Sequence, residues 1–204
     1  MVVGLGNPGP EYRETRHNVG QGVVEHLAAR LDRRFRATPG AEVAEGPWDG
    51  GWLVLAKPEA FMNVSGPAVA RVLRDVGVGP ADLILTHDDL DLPFGRVRLR
   101  HGGRHGGHNG VRSVLDTLGT ERIRRVKVGI GRPAEHADTI DWVLTGFTAE
   151  ERADLPAILA RAGDLVMALA AEPSEVASSG DSPGDREEPD QDFLPPGPAG
   201  AWTG

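Results

Sequence analysis

The run Leu83-Ile84-Leu85-Thr86 restricts the fold more than any other segment, because it offers water almost no polar face. A short continuous apolar run of this kind reads as a strand covered on both sides, the situation found in sheets flanked by helices. The surrounding pattern agrees. Val2-Val3 reads as the end of a strand feeding a Gly-rich turn. From Val19 to Phe35, Val23, Val24, Leu27, Ala28 and Leu31 recur at helical spacing, with Arg30, Arg33, Arg34 and Arg36 on the other face. Val43-Ala44 and Trp52-Leu53-Val54-Leu55 are short strands joined through Pro47-Trp48-Asp49-Gly50-Gly51. Ser65 caps a helix through Ala68, Val69, Val72, Leu73 and Val76 that stops at Gly77. Val97 and Leu99 alternate with Arg96, Arg98 and Arg100, giving a strand with one wet, basic face. Val111 to Leu118 is a short helix, and Arg125 to Ile130 a further strand. Thr148 caps a last helix carrying Leu155, Ile158, Leu159, Leu165, Val166 and Leu169. Strands alternating with helices imply a single α/β domain: a mixed, mostly parallel twisted sheet flanked by helices.

This pattern ends near Ala171. Residues 1–171 are therefore read as the folded domain, and residues 172–204 as an acidic tail rich in Pro, Gly and Ser. From Glu172 onward there are eight acids and one base, a net charge of −7 out of −8 for the whole chain. Such a segment cannot bury enough apolar surface to offset its ordering entropy, and disorder is expected. The remaining body is nearly neutral, and clustered bases on it can still attract a polyanion. The absence of cysteine excludes disulfides, thiolate nucleophiles and thiolate metal sites. No signal peptide is read at Met1-Val2-Val3, and no apolar run approaches the roughly 18 residues of a membrane span.

Four segments look like loops with a polar payload. Gly4-Leu5-Gly6-Asn7-Pro8-Gly9 leads through Tyr12 to Thr15-Arg16-His17-Asn18. The others are Phe61-Met62-Asn63-Val64-Ser65-Gly66, His87-Asp88-Asp89-Leu90-Asp91-Leu92-Pro93 and Gly106-Gly107-His108-Asn109-Gly110. Each has a bland reading. The first matches the dinucleotide pattern G-x-G-x-x-G, but Pro8-Gly9-Pro10 breaks the strand-to-helix geometry that pattern needs, so a tight turn presenting Asn7 is preferred. His101, His105 and His108 could hold a metal, yet zinc sites usually combine His with Cys or carboxylates, and Arg104 brings an unwelcome charge. A Gly-rich loop whose backbone amides meet phosphate or substrate is preferred. Asn7, Asn63 and Asn109 are each ordinary beside Gly; three in three such loops favour a cluster that hydrogen-bonds a substrate. Asp88 follows the buried strand and so sits where α/β sites assemble. There it can orient His17, with Asp89 and Asp91 as rivals. Arg98, Arg100 and Arg104 form a basic stripe suited to phosphates, which Arg122, Arg124, Arg125 and Lys127 extend.

Taken together, these segments, with Gly129-Ile130-Gly131-Arg132-Pro133, resemble the bacterial peptidyl-tRNA hydrolase family, in the family's order across roughly the first 170 residues. The resemblance implies cleavage of the ester between a peptide and the 3′ end of tRNA by a cytoplasmic, monomeric enzyme without metal or cofactor. It implies that His17 is the general base, supported by Asp88. Asn7 would distinguish blocked from free aminoacyl groups, and Tyr12, Phe61, Asn63 and Asn109 would contact tRNA and peptide. The chemistry suits the residues. An imidazole with an unperturbed pKa near 6.5 can take a proton at neutral pH, general-base help is typically worth about 10²–10⁴ in rate, and an amide of Asn63 or Asn109 can donate to the oxyanion. This chain departs from the family in three places. Its start is shorter, Arg104 stands where Gly is common, and the usual basic C-terminal helix gives way to the acidic tail, which is expected to weaken tRNA binding by lying over the arginine stripe. Two other classes share these residues: a non-catalytic RNA-binding relative, and an acyl-ester hydrolase independent of tRNA.

Overall fold

The computed structural model describes residues 1–133 and 138–172. Seven strands, β1 (Val2–Gly4), β2 (Arg36–Thr38), β3 (Ala41–Trp48), β4 (Gly51–Pro58), β5 (Ile84–Asp89), β6 (Val97–His101) and β7 (Arg124–Gly129), form one sheet in the order β2-β3-β4-β1-β5-β7-β6. The central strands β4, β1, β5 and β7 run parallel, with an antiparallel hairpin added at one edge and β6 at the other. The helices are α1 (Val19–Arg30), α2 (Ser65–Val76), α3 (Asn109–Leu118), α4 (Thr139–Leu144) and α5 (Ala149–Ala171).

Alternation along the strands sends residues to two cores. Val2, Leu53, Leu55, Ile84, Val126 and Val128 pack against α1 and α5, whereas Val3, Val54, Ala56, Leu85 and Ile123 pack against α2 and α3. The run Leu83–Thr86 is accordingly buried throughout. Helices therefore cover both faces of the parallel centre, as the sequence implied.

Local differences have local causes. The first helix stops at Arg30, and residues 36–38 join the sheet instead of extending it. The strand begun at Val43-Ala44 is longer, running through Trp48, because the turn is the two-residue Asp49-Gly50, both with positive φ. Asp-Gly at positive φ suits the tight hairpin turn whose twist matches its strands. Among the described residues no helix is long and apolar enough to cross a membrane. The acidic tail, from residue 173 on, lies outside the described residues.

Candidate active site

The site forms at the C-terminal ends of β1 and β5, next to the turns that open α1 and α3. The connection out of β1 leads to α1 on one face and that out of its parallel neighbour β4 to α2 on the other, a switch that opens a crevice at the strands' C-terminal ends. A glycine makes the approach close: a Cβ at Gly20 would run into the carbonyl of Thr86, so the start of α1 lies directly on β5. The single turn Arg16–Asn18 just before α1 is thereby pressed against the strand that carries Asp88.

His17 Nδ1 lies 2.9 Å from Asp88 Oδ1, and His108 Nε2 lies 2.9 Å from the same oxygen. The tautomers follow from the partners. His108 Nδ1 accepts the backbone N–H of Val111 (3.2 Å) and caps α3, so Nε2 carries the proton and donates to Asp88. Asp88 is acceptor-only as a carboxylate, so His17 Nδ1 also donates. The His17 Nε2 of a neutral ring is left with its lone pair, and it has no partner among the described residues. Burial alone would raise the Asp88 carboxyl, but the charges and hydrogen bonds of His108 and His17 outweigh it and hold it well below the ordinary carboxylate range. Asp88 is thus ionised beneath an imidazole that can take a proton.

Behind this pair lies His87, fully buried, with its ring 4.7 Å from that of His108. Its Nδ1 bonds the Asp88 carbonyl oxygen (2.6 Å), while Nε2 has no partner among the described residues. Burial, and then electrostatic repulsion between the His87 and His108 rings, which would set two cations side by side, push His87 well below the usual histidine range despite the opposing pull of Asp88.

Asn7 is nearly buried and rigidly held. Its backbone N–H donates to Asn18 Oδ1, its carbonyl accepts from Asn18 Nδ2, and its side-chain Oδ1 accepts the N–H of Met62 (2.8 Å). That last bond fixes the amide orientation and leaves Nδ2 as a free donor. Asn109, the first residue of α3, is oriented in the same manner, since the donor-only Arg112 guanidinium occupies its Oδ1.

The crevice opens into a cleft of about 550 Å³. It brings His17, Asp88 and Asn109 together with Arg100, Arg104, Arg125, Lys127 and Arg132, and α4 supplies Ile140 and Val143. Tyr12, Phe61 and Asn63 do not line it. Tyr12 and Phe61 meet edge to face, 6.2 Å apart, with Phe61 55% exposed and Asn63 exposed beside it. Asn7 is also absent from the cleft lining; its hydrogen bonds tie it to Asn18, next to His17, and to Met62, next to Phe61. Arg98, exposed on edge strand β6, lies outside the cleft lining.

Four residues the sequence reading left in other roles matter here. His108, in sequence a loop residue or metal-ligand candidate, is the N-cap of α3, and its spacing to Val111, three residues on, is the local sign of that role. His87, in the sequence one letter of the segment that carries Asp88, has no local sign of its own. Arg16 is 1% exposed, donates to the carbonyls of Thr145 and Gly146 and to Glu151, and stacks 3.8 Å over Trp142, tying the turn that carries His17 to α4 and α5. Arg125, read as part of the phosphate stripe, is 2% exposed. Burial and the neighbouring Arg100 lower it to about 10, against Asp89 and Glu121, so it remains a cation. His17, Asp88 and His108 present ligand atoms within 4.8 Å of one another, close enough to share an ion. In the structure both histidines are instead hydrogen-bonded to Asp88 Oδ1. His105 Nδ1 is occupied by the Gly107 N–H.

Comparison with known proteins places these features in a group. A family model described as peptidyl-tRNA hydrolase matches residues 1–182. Peptidyl-tRNA hydrolases of Mycobacterium tuberculosis (strain ATCC 25177 / H37Ra) and Mycobacterium avium (strain 104) are 49% and 48% identical, covering 88% and 86% of this chain and 95% and 94% of their own. The crystal structure of peptidyl-tRNA hydrolase from Acinetobacter baumannii superposes with a TM-score of 0.77 at 33% identity, over 83% of this chain and 87% of that one.

Proposed function

We propose that this chain, which belongs to the peptidyl-tRNA hydrolase family, hydrolyses the ester joining a peptide to tRNA by means of His17 acting on a water. The observation that carries the reading is the His17–Asp88 bond of 2.9 Å, which leaves Nε2 of a cleft-lining imidazole as an acceptor. His17 takes the water proton as the oxygen attacks the ester carbonyl. The imidazolium that forms lies against a buried carboxylate whose low proton affinity keeps it charged, the role an aspartate plays in triad logic. Asn109, with its amide nitrogen free to donate and its side chain lining the same cleft as His17, is better placed than Asn63 to meet the developing oxyanion. Collapse of the intermediate expels the ribose oxygen, which recovers a proton from His17.

Asn7 supplies the choice of substrate. Its free Nδ2 donor pairs with the carbonyl of an N-acylated residue. A free aminoacyl group would set a donor-only ammonium against a donor and leave both unpaired, a penalty that site-specific hydrogen bonding turns into selectivity. Arg100 and Arg104 on the cleft wall, with Arg98 beyond it, contact tRNA phosphates, and Tyr12 with Phe61 gives an aromatic platform for a base of the 3′ end. The enzyme acts as a monomer in the cytoplasm, without a metal.

Single-turnover release of peptide from an N-blocked aminoacyl-tRNA tests the reading. Hydrolysis by the wild type with a loss of about 10² or more in His17→Ala is expected. Retained tRNA binding without turnover by the wild type would make the chain a binding relative instead.

A further inference from the structure

Arg125 sits among Arg122, Arg124 and Lys127 and lines the basic cleft, as a phosphate contact would. Its head group is spoken for. Nη2 donates to the carbonyl oxygens of Gly102 (2.5 Å) and Gly103 (2.7 Å), and Nη1 to that of Arg104 (3.1 Å). A guanidinium offers its N–H groups in one rigid plane, so holding three consecutive carbonyls selects one shape for that stretch of chain.

The stretch needs such a hold. Gly102, Gly103, Gly106 and Gly107 all have positive φ, a conformation glycine adopts freely but at a high cost in chain entropy when it is fixed. The side chains here give little help. His105 and Arg100 bond only to the loop's own backbone, the latter through Gly102. At the far end the loop delivers His108, whose Nε2 meets Asp88 and whose Nδ1 caps α3.

We propose that Arg125 is a positioning residue for the hydrolytic site, locking Gly102–Arg104 and through it His108 on Asp88, and that it makes no phosphate contact itself. Its orphan Nε, buried without a partner among the described residues, is consistent with a head group whose orientation is set by the loop rather than by its own best hydration. The contrast is with Arg104, whose backbone carbonyl is what Arg125 grips and whose side chain is exposed.

The kinetic arm of the test rests on the peptidyl-tRNA reading; the exchange arm does not. Arg125→Gln and Arg125→Lys are compared with the wild type. In the absence of tRNA, amide hydrogen exchange over residues 102–108 is expected to quicken about tenfold in both variants, with β5 and β7 unchanged. With N-blocked aminoacyl-tRNA, kcat is expected to fall about tenfold or more in Arg125→Gln, less in Arg125→Lys, with KM and the salt dependence of tRNA binding unchanged. A preserved kcat with a salt slope reduced by roughly one would identify a direct phosphate contact and overturn the proposal. So would unaltered loop exchange, or loss of the folded state in both variants, which would assign Arg125 to the core. A wild type that does not hydrolyse the substrate removes the functional reading alone, and loop exchange still decides the anchoring.

Discussion

The inner corner of the cleft and its outer rim are built on opposite terms. In the corner, Asp88 is 2% exposed, two histidines share one of its oxygens, and each tautomer is dictated by the next partner along. The rim, taken to include the open surface around the cleft, has Phe61 55% exposed, with Asn63 and Arg98 exposed outside the lining and Arg104 exposed on the cleft wall. A proton transfer requires atoms fixed to fractions of an ångström, which only packing and directed hydrogen bonds in a low-dielectric setting provide. A long hydrated polyanion requires charge spread over a surface, where each contact contributes modestly and salt weakens them all. Changes in the corner should therefore act on kcat, and changes on the rim on KM and on salt response.

The hardest blow to this division would come from Asp88→Asn. It leaves the shape but removes the carboxylate that sets His17's tautomer, and kcat should fall by about 10²–10⁴ with KM nearly kept. A rise in KM alone would make the corner a binding surface. His108→Ala removes one hydrogen bond to a charged group, worth about 1.5–3 kcal/mol, or roughly 10–100-fold in kcat. It also removes the α3 cap, at about 1 kcal/mol of stability visible in thermal unfolding.

The corner also predicts acid sensitivity. The folded value of His87 lies well below its ordinary one, so the unfolded chain binds a proton that the folded chain refuses. That stabilisation is complete above about pH 6.5 and is lost as pH falls below it, by up to about 1.4 kcal/mol per pH unit. Asp88 acts with the same sign, its contribution lost as pH falls below about 4. In denaturant melts the wild type should lose stability relative to His87→Leu as pH drops from about 6.5 to 5; a constant difference would show that His87 takes up its proton as readily in the folded chain as in the unfolded one.

Asn7 stands between the two regions. Asn7→Ala should narrow the preference for blocked over free aminoacyl-tRNA by about tenfold, the value of one hydrogen bond, as read from the ratio of kcat/KM values. An unchanged ratio would move discrimination elsewhere on the rim. The smallest effect belongs to Arg104→Ala: a few-fold rise in KM, a salt slope reduced by about one and an unchanged kcat. A fall in kcat would show that the rim shapes the corner directly.

Much of this molecule was legible in one dimension. The buried run at Leu83–Thr86, the helical spacing of α1 and the Thr148 cap reflect local periodicity and propensity, which each short segment carries in itself; Ser65 opens α2 but does not cap it, because its hydroxyl donates back to the carbonyls of Phe61 and Met62 instead of accepting from the helix. The four polar loops were legible for the same reason: Gly and Pro write turns directly into the sequence. Boundaries suffered where a neighbour intervened, as at residues 36–38, which pair with β3 rather than prolong α1.

What only the tertiary structure decided is which side of a residue faces what. His17 and Asp88 are 71 positions apart, and their contact depends on the close packing at Gly20 and the crossing of two strand ends. Arg104 and Arg125 look alike as letters in a basic stripe, yet one side chain stands in solvent and the other is spent on three carbonyls. A sequence records charge, but whether a charge meets water, a phosphate or a loop is set by burial, and burial belongs to the whole fold.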